Sequence, residues 1–178
     1  QDQQKELVNL YQQGQFQQAL DSAQKLLPQF PNSLALYNIQ GAANAGLGQF
    51  DAAIENYKQA LKIKPDYADS HNNIGLTLKN KGNLEGSINS YKQALKIKPD
   101  YAEAYYNLAN SQKEKGDLEL AVHSYKQALK FKPNYAKAHN NMGTVFKDRG
   151  DLKGAIESYK KAIDINPGYA EAYNNMGS

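Results

Sequence analysis

Across residues 68–101 the apolar and small positions fall at helical spacing twice. Ile74, Gly75 and Leu78 mark the buried stripe of a first helix. Gly82 then supplies the backbone freedom to leave that helix, and Asn83 can cap a second. The second helix turns Leu84, Ser87, Ile88, Tyr91, Ala94 and Leu95 inward and stops at Pro99, whose ring and missing N–H forbid continuation. The pattern therefore predicts an antiparallel hairpin of two short helices. After each such proline comes Asn32, Asp66, Asp100, Asn134 or Gly168, and the first four are expected to accept a hydrogen bond from the next helix's first turn.

The hairpin recurs. Pro31, Pro65, Pro99, Pro133 and Pro167 are each 34 residues apart, and only Pro28 is off the grid. Gly14, Gly48, Gly82, Gly116 and Gly150 keep the same step, as do Ala60, Ala94, Ala128 and Ala162. Tyrosine keeps it twice, at Tyr57, Tyr91, Tyr125, Tyr159 and at Tyr67, Tyr101, Tyr135, Tyr169. Small residues recur at Gly41, Gly75, Ala109 and Gly143 on first helices and at Ala53, Ser87, Ala121 and Ala155 on second ones. A helical Gly costs roughly 0.5–1 kcal/mol relative to Ala, so its recurrence implies a close helix–helix approach. No Gly-rich loop followed by Lys-Ser or Lys-Thr supports a phosphate-binding role instead.

Composition fits a stack of hairpins better than a single globule. Of 178 residues 40% are apolar, and mean hydropathy is −0.76, yet 10% are aromatic. A one-dimensional stack has no central core, so a modest apolar fraction suffices. With no Cys there is no disulfide scaffold, zinc finger, iron–sulfur site or thiol nucleophile. No apolar run approaches the roughly 18 residues of a spanning helix, so no membrane partner is expected. The net charge of +3 is mild and the Lys residues are dispersed, which leaves nucleic acid without an electrostatic footprint. Residue 1 is Gln1, so compartment stays open, with the cytoplasm the expectation.

The 34-residue step, the aromatic-x-x-x-Gly of Tyr37 to Gly41, and the Gly-Asn-Leu or Gly-Asp-Leu of Gly82–Leu84, Gly116–Leu118 and Gly150–Leu152 resemble the tetratricopeptide repeat, TPR. The resemblance covers residues 1–178 as a single array. A divergent unit spans 1–33, clear repeats span 34–67, 68–101, 102–135 and 136–169, and a truncated sixth opens at 170–178. It implies an all-α fold: an α-solenoid of antiparallel helix pairs in a right-handed superhelix, whose concave groove, lined mostly by first helices, binds peptides or extended segments. The first unit departs from the pattern with Leu7 at the small position and Leu26 at the late Ala, as befits an end repeat. At the first-helix aromatic position Tyr37, Tyr105 and Tyr173 alternate with His71 and His139, so both histidines are expected to pack between helices. His123 is expected to be solvated, and the three histidines show no metal-ligand spacing.

The groove-lining positions implied by the resemblance carry Asn38, then Asn72 and Asn73, then Tyr106 and Asn107, then Asn140 and Asn141, then Asn174 and Asn175. Asn is a mediocre helix former, so local propensity does not explain a row at Asn73, Asn107, Asn141 and Asn175. A carboxamide offers donor and acceptor together, which suits it to gripping the backbone of an extended peptide. That reading is similar to the asparagine ladder of O-linked N-acetylglucosamine transferases and kinesin light chains, and Ile39 would delay its start to the third unit. The alternative is that each Asn bonds the neighbouring repeat and locks the stack. Lys79, Lys113 and Lys147, one turn further on, would favour an acidic segment or terminal carboxylate. Glu114 and Asp148 follow two of them, so a locally paired, solvated face is the alternative. The carboxylate clamp of the chaperone-binding subset is not matched, because Asn38 or Asn72 replaces its early basic residue and Asn141 its late Arg.

Catalysis finds no constellation. Asp51, Glu55, Glu85, Glu119 and Glu157 fall on polar helix faces, and His123 and Ser124, adjacent on a helix, point apart. No catalytic residue, metal or cofactor is expected. The expected function is a protein–protein interaction scaffold; the alternative is the substrate-recruiting region of a larger glycosyl- or sulfotransferase-like enzyme with its catalytic domain beyond Ser178. The opening of a first helix at Ala170 reads as a boundary inside a longer array, and the apolar edge at Tyr169, Tyr173 and Met176 is expected to drive weak end-to-end association.

Overall fold

A computed structural model describes residues 2–177. Gln1 and Ser178, the outer bounds of the array, lie outside the described residues. Among those described, α1 (Asp2–Gln12) and α2 (Phe16–Leu26), α3 (Leu34–Gly46) and α4 (Phe50–Ile63), and α5 (Ala68–Asn80) and α6 (Leu84–Ile97) form successive pairs. They are followed by α7 (Ala102–Lys115) with α8 (Leu118–Phe131), α9 (Ala136–Asp148) with α10 (Leu152–Ile165), and then α11 (Ala170–Gly177). The fold is an all-α solenoid of helix hairpins. The chain gathers into two compact units, Gln1–Ile97 and Lys98–Ser178.

Each hairpin turns on its register glycine. Gly82 has φ +86° and Gly116 φ +90°, a left-handed setting that other L-residues adopt at a cost. A Cβ at either would touch nothing, so backbone conformation, not space, demands glycine there. Gly116 is the C-cap of α7, its N–H reaching the carbonyls of Gln112 and Lys113. The next helix is capped as expected where Asn83 Oδ1 accepts from Gly86 N at 2.9 Å, and Asp151 Oδ1 does the same for Gly154 N.

Capping of the first helices corrects the sequence expectation. Asn32, Asp66, Asp100 and Asn134 sit in the turn, one residue too early to reach the first-turn amides; the N-cap positions of α3, α5, α7 and α9 are Ser33, Tyr67, Tyr101 and Tyr135. Of these four, only Ser33 accepts a side-chain cap bond, from Leu36 N at 3.3 Å. The tyrosines instead receive cations on their rings: Lys64 Nζ lies 5.5 Å from the Tyr67 centroid, Lys98 4.5 Å from Tyr101 and Lys132 4.4 Å from Tyr135.

The apolar interior is layered within each unit. In the first, Leu7, Ala23 and Leu36 join α1, α2 and α3, while Ala53, Tyr57 and Ile74 join α4 and α5. In the second, Ala109, Ala121, Val122, Tyr125, Ala138, Met142 and Val145 join α7, α8 and α9. The close approach predicted at the small first-helix positions is real. A Cβ at Gly41, Gly75 or Gly143 would stand 2.6, 2.6 or 2.7 Å from Cε1 of Tyr57, Tyr91 or Tyr159, the register tyrosine of the same hairpin.

Candidate interaction surface on the first helices

First helices of neighbouring repeats touch directly within each unit: α1 with α3, α3 with α5, α7 with α9, and α9 with α11. In the first unit Asn38 is half-buried and engaged at its oxygen and one N–H. Its Nδ2 donates to Leu34 O at 2.8 Å and its Oδ1 accepts from Ser70 Oγ at 2.8 Å, one repeat on. Asn72 is buried and Asn73 half-buried on the same helix.

In the second unit four of the predicted residues, Tyr106 with Asn141 and Asn140 with Asn175, fall into two clusters. Asn141 Nδ2 donates to Tyr106 OH at 3.1 Å and to Asn110 Oδ1 at 3.0 Å. Asn110 Oδ1 also accepts from Tyr125 OH at 2.5 Å. Asn140, fully buried, donates through Nδ2 to Glu171 Oε1 at 3.0 Å and accepts at Oδ1 from Asn175 Nδ2 at 3.1 Å. Asn107 is buried, whereas Asn174 is exposed. Much of the Asn row thus ties one repeat to the next, as a buried polar group must when water cannot reach it.

Two participants, Asn110 and Glu171, escape a reading by strict register, because adjacent first helices meet with an offset. Asn110 and Asn141 are 31 residues apart, as are Asn140 and Glu171, whereas Tyr106 and Asn141 are 35 apart. The offsets are about one helical turn short of the repeat and one residue beyond it. Asn110 stands at the register of Leu76 and Thr144, so its polarity was visible in the sequence but its partner was not.

An aromatic cluster backs this corner. Tyr106 lies with its ring centroid 4.8 Å from Tyr135 and 6.1 Å from Tyr125. Burial, then the neighbouring Tyr106 and Glu103, pushes the Tyr135 hydroxyl up to about 12, and burial pushes Tyr125 above the usual tyrosine range. Both stay protonated as donors at neutral pH.

Lys79, Lys113 and Lys147 are half-buried in the last turns of α5, α7 and α9. A cation there complements the negative end of the helix dipole whether or not a ligand is present. His139 is buried and His71 half-buried. His139 Nε2 lies 3.1 Å from Pro133 O, and desolvation lowers both imidazoles below the ordinary histidine value. For His139 the Lys161 charge adds to that lowering. His123 is exposed. The acidic residues Asp51 and Glu119 are exposed and pair with Lys81 and with Arg149, the latter at 3.3 Å. Among the described residues no group of three or more His, Cys, Asp or Glu could hold a metal ion, and no helix is long and apolar enough to cross a membrane.

Comparison with known proteins agrees with this anatomy. A model of the TPR repeat matches residues 41–82, 77–116, 110–148 and 143–178, and a tetratricopeptide repeat model matches residues 8–33. None of the curated proteins compared with the chain matches it. Among solved structures the chain is similar to a thermophilic TPR protein of Thermus thermophilus, with 21% identity, 99% of this chain and 96% of that one covered, and a TM-score of 0.80. It is similar to MamA, residues 41 to the end, of Desulfovibrio magneticus RS-1, with 21% identity, 95% and 98% coverage and a TM-score of 0.78. It is also similar to YrrB, described as a TPR protein with an unusual peptide-binding site, at 19% identity, 97% and 89% coverage and a TM-score of 0.75. Identities this low establish likeness of fold.

Proposed function

Because this chain belongs to the tetratricopeptide repeat family, which makes it a repeat scaffold suited to protein interaction, we propose that it holds an extended peptide along its first helices. The observation that carries the reading is the state of Asn110. Its oxygen is fixed by two donors, Tyr125 OH and Asn141 Nδ2, while its own Nδ2 donates to no group among the described residues and the side chain stays half-exposed. A carboxamide so oriented is a preorganised donor for a peptide carbonyl, at little further ordering cost. Tyr106 OH, which accepts from Asn141, keeps its proton for the same purpose. Lys113, one turn on from Asn110 on α7, gives the bound segment an acidic preference, and Tyr173, 47% exposed, gives the chain a weak tendency to self-associate.

A peptide-array screen compares the wild type with Asn110→Leu, a residue the same register already carries at Leu76, and with the Asn107→Ala, Asn141→Ala double variant. Reading thermal unfolding alongside separates lost contacts from lost folding. Peptide selection that survives both variants unchanged sinks the groove reading.

A further inference from the structure

Among the described residues, the corner between the end of one hairpin and the start of the next is an open cleft in the first unit and again in the second. In the first unit it is lined by Pro31, Asn32, Tyr37, Gln59, Lys62 and Ile63, with a volume of about 430 Å³. In the second unit the same corner, three repeats later, is lined by Pro133, Asn134, His139, Lys161, Asp164 and Ile165, extends over α8, and reaches about 610 Å³. Recurrence of the space follows from the repeat, and so do two of its cations: Lys126 continues the register of Lys58 and Lys92, and Lys130 that of Lys62 and Lys96, whereas Lys161 stands where Gln59, Gln93 and Gln127 stand. The neutral residues Gln24, Pro28 and Gln59 become Lys126, Lys130 and Lys161 in the second unit, and all three line its cleft. Asp164 offsets one of these charges, leaving two positive charges in excess.

Solvated lysines on second-helix tails ordinarily serve solubility. Here they surround an apolar wall of Leu129, Met142 and Ile165. They also surround His139, 8% exposed, whose Nε2 carries its proton toward Pro133 O and whose buried Nδ1 is left as an acceptor with no partner among the described residues.

We propose that the cleft between the C-terminal ends of α8 and α10 is a second docking site, which takes an acidic side chain and the adjoining large apolar side chain of a partner protein segment. The carboxylate meets Lys126, Lys130 and Lys161, and the apolar group covers Leu129 and Ile165. An acidic residue alone would gain little from exposed lysines, and an apolar residue alone would strand the cations, so the pair is the complementary ligand. This site is independent of the Asn110 surface, since no residue is shared.

The test uses a fluorescein-labelled peptide with one Glu-Leu-Glu step in a Gly-Ser background, its Gln-Leu-Gln and Glu-Ser-Glu counterparts, and the full chain. Binding by anisotropy is expected only for Glu-Leu-Glu, and charge reversal in Lys126→Glu, Lys130→Glu weakens it by about tenfold or more. Amide shift changes on titration are expected around residues 126–142 and 161–165. Equal binding of the Gln-Leu-Gln or Glu-Ser-Glu peptide, retention by the charge-reversed variant, or shift changes confined to Tyr106, Asn110 and Asn141 each overturn the proposal. The last outcome would leave the first-helix reading standing, whereas loss of peptide binding in Asn110→Leu with the cleft intact would separate the two in the other direction.

Discussion

The ring of Tyr91 lies so close over Gly75 that a Cβ on residue 75 would stand 2.6 Å from its Cε1. Tyr91 is itself fully buried, so the ring cannot swing aside into solvent. Gly75→Ala is therefore expected to cost about 1–3 kcal/mol through overpacking. Gly82→Ala, where a Cβ meets nothing, should cost about 1 kcal/mol through backbone strain alone. Combining each with Tyr91→Leu tells the two causes apart. Urea unfolding midpoints should show strong non-additivity for the Gly75 pair and simple addition for the Gly82 pair.

Fully buried Asn140 is held by partners on α11, Glu171 and Asn175. Asn140→Ala removes both bonds and leaves polar groups unmatched, a loss of roughly 1–3 kcal/mol. The damage should be local: amide exchange in α11 accelerates to near-open rates while α7 and α8 keep their protection. Uniform acceleration across residues 102–148 would contradict the assignment.

Asn141 donates to both Tyr106 and Asn110, bridging α9 to α7. Because Asn110 retains Tyr125 as a donor, Asn141→Ala is expected to be milder than Asn140→Ala, at about 1 kcal/mol. A double-mutant cycle with Tyr106→Phe should return a coupling of a few tenths of a kcal/mol or more, and a coupling of zero would dissolve the bridge.

His139 has its pKa lowered in the fold, first by desolvation and further by Lys161. As pH falls below the ordinary histidine value of 6.5, the unfolded chain takes up the proton first, so folded-state stability declines from there down through the lower folded value. The wild type should therefore lose more stability than His139→Gln between neutrality and about pH 5. His71 shares the direction and remains in both proteins as an internal control. Identical pH slopes would remove His139 from the account.

Self-association at the α11 edge predicts that sedimentation shows an apparent mass rising with concentration, and that Tyr173→Lys abolishes the rise. A concentration-independent monomer mass in the wild type would remove this edge as a contact.

The helix hairpins could be read from the chain because their signals are local. Apolar spacing sets the buried stripe, proline ends one helix, and glycine at 82 or 116 opens the next turn. The close approach at Gly75 was legible too, from its recurring small register, although the register did not name Tyr91 as the ring that fills the space. What local signals missed lies between helices. The start of α5 falls at Ala68 and not beside Asp66, because the turn itself consumes the Pro-Asp pair. Asn110 and Glu171 enter the site through offsets of 31 residues, which are set by how two helices lie side by side. A period of 34 does not contain that number, so only three-dimensional packing reveals it.

Five hairpin glycines, Gly14, Gly48, Gly82, Gly116 and Gly150, share φ values between +74° and +90°. Each turn is therefore a copy of the last, and a single inserted or deleted residue within a hairpin would misalign a tyrosine with its glycine and a cap with its helix. Removal or duplication of a whole block such as 68–101 brings equivalent residues back into step. The repeat is thus the unit in which the gene can lengthen or shorten this scaffold, and the same unit sets the increments by which a designer can change the length of its first-helix surface.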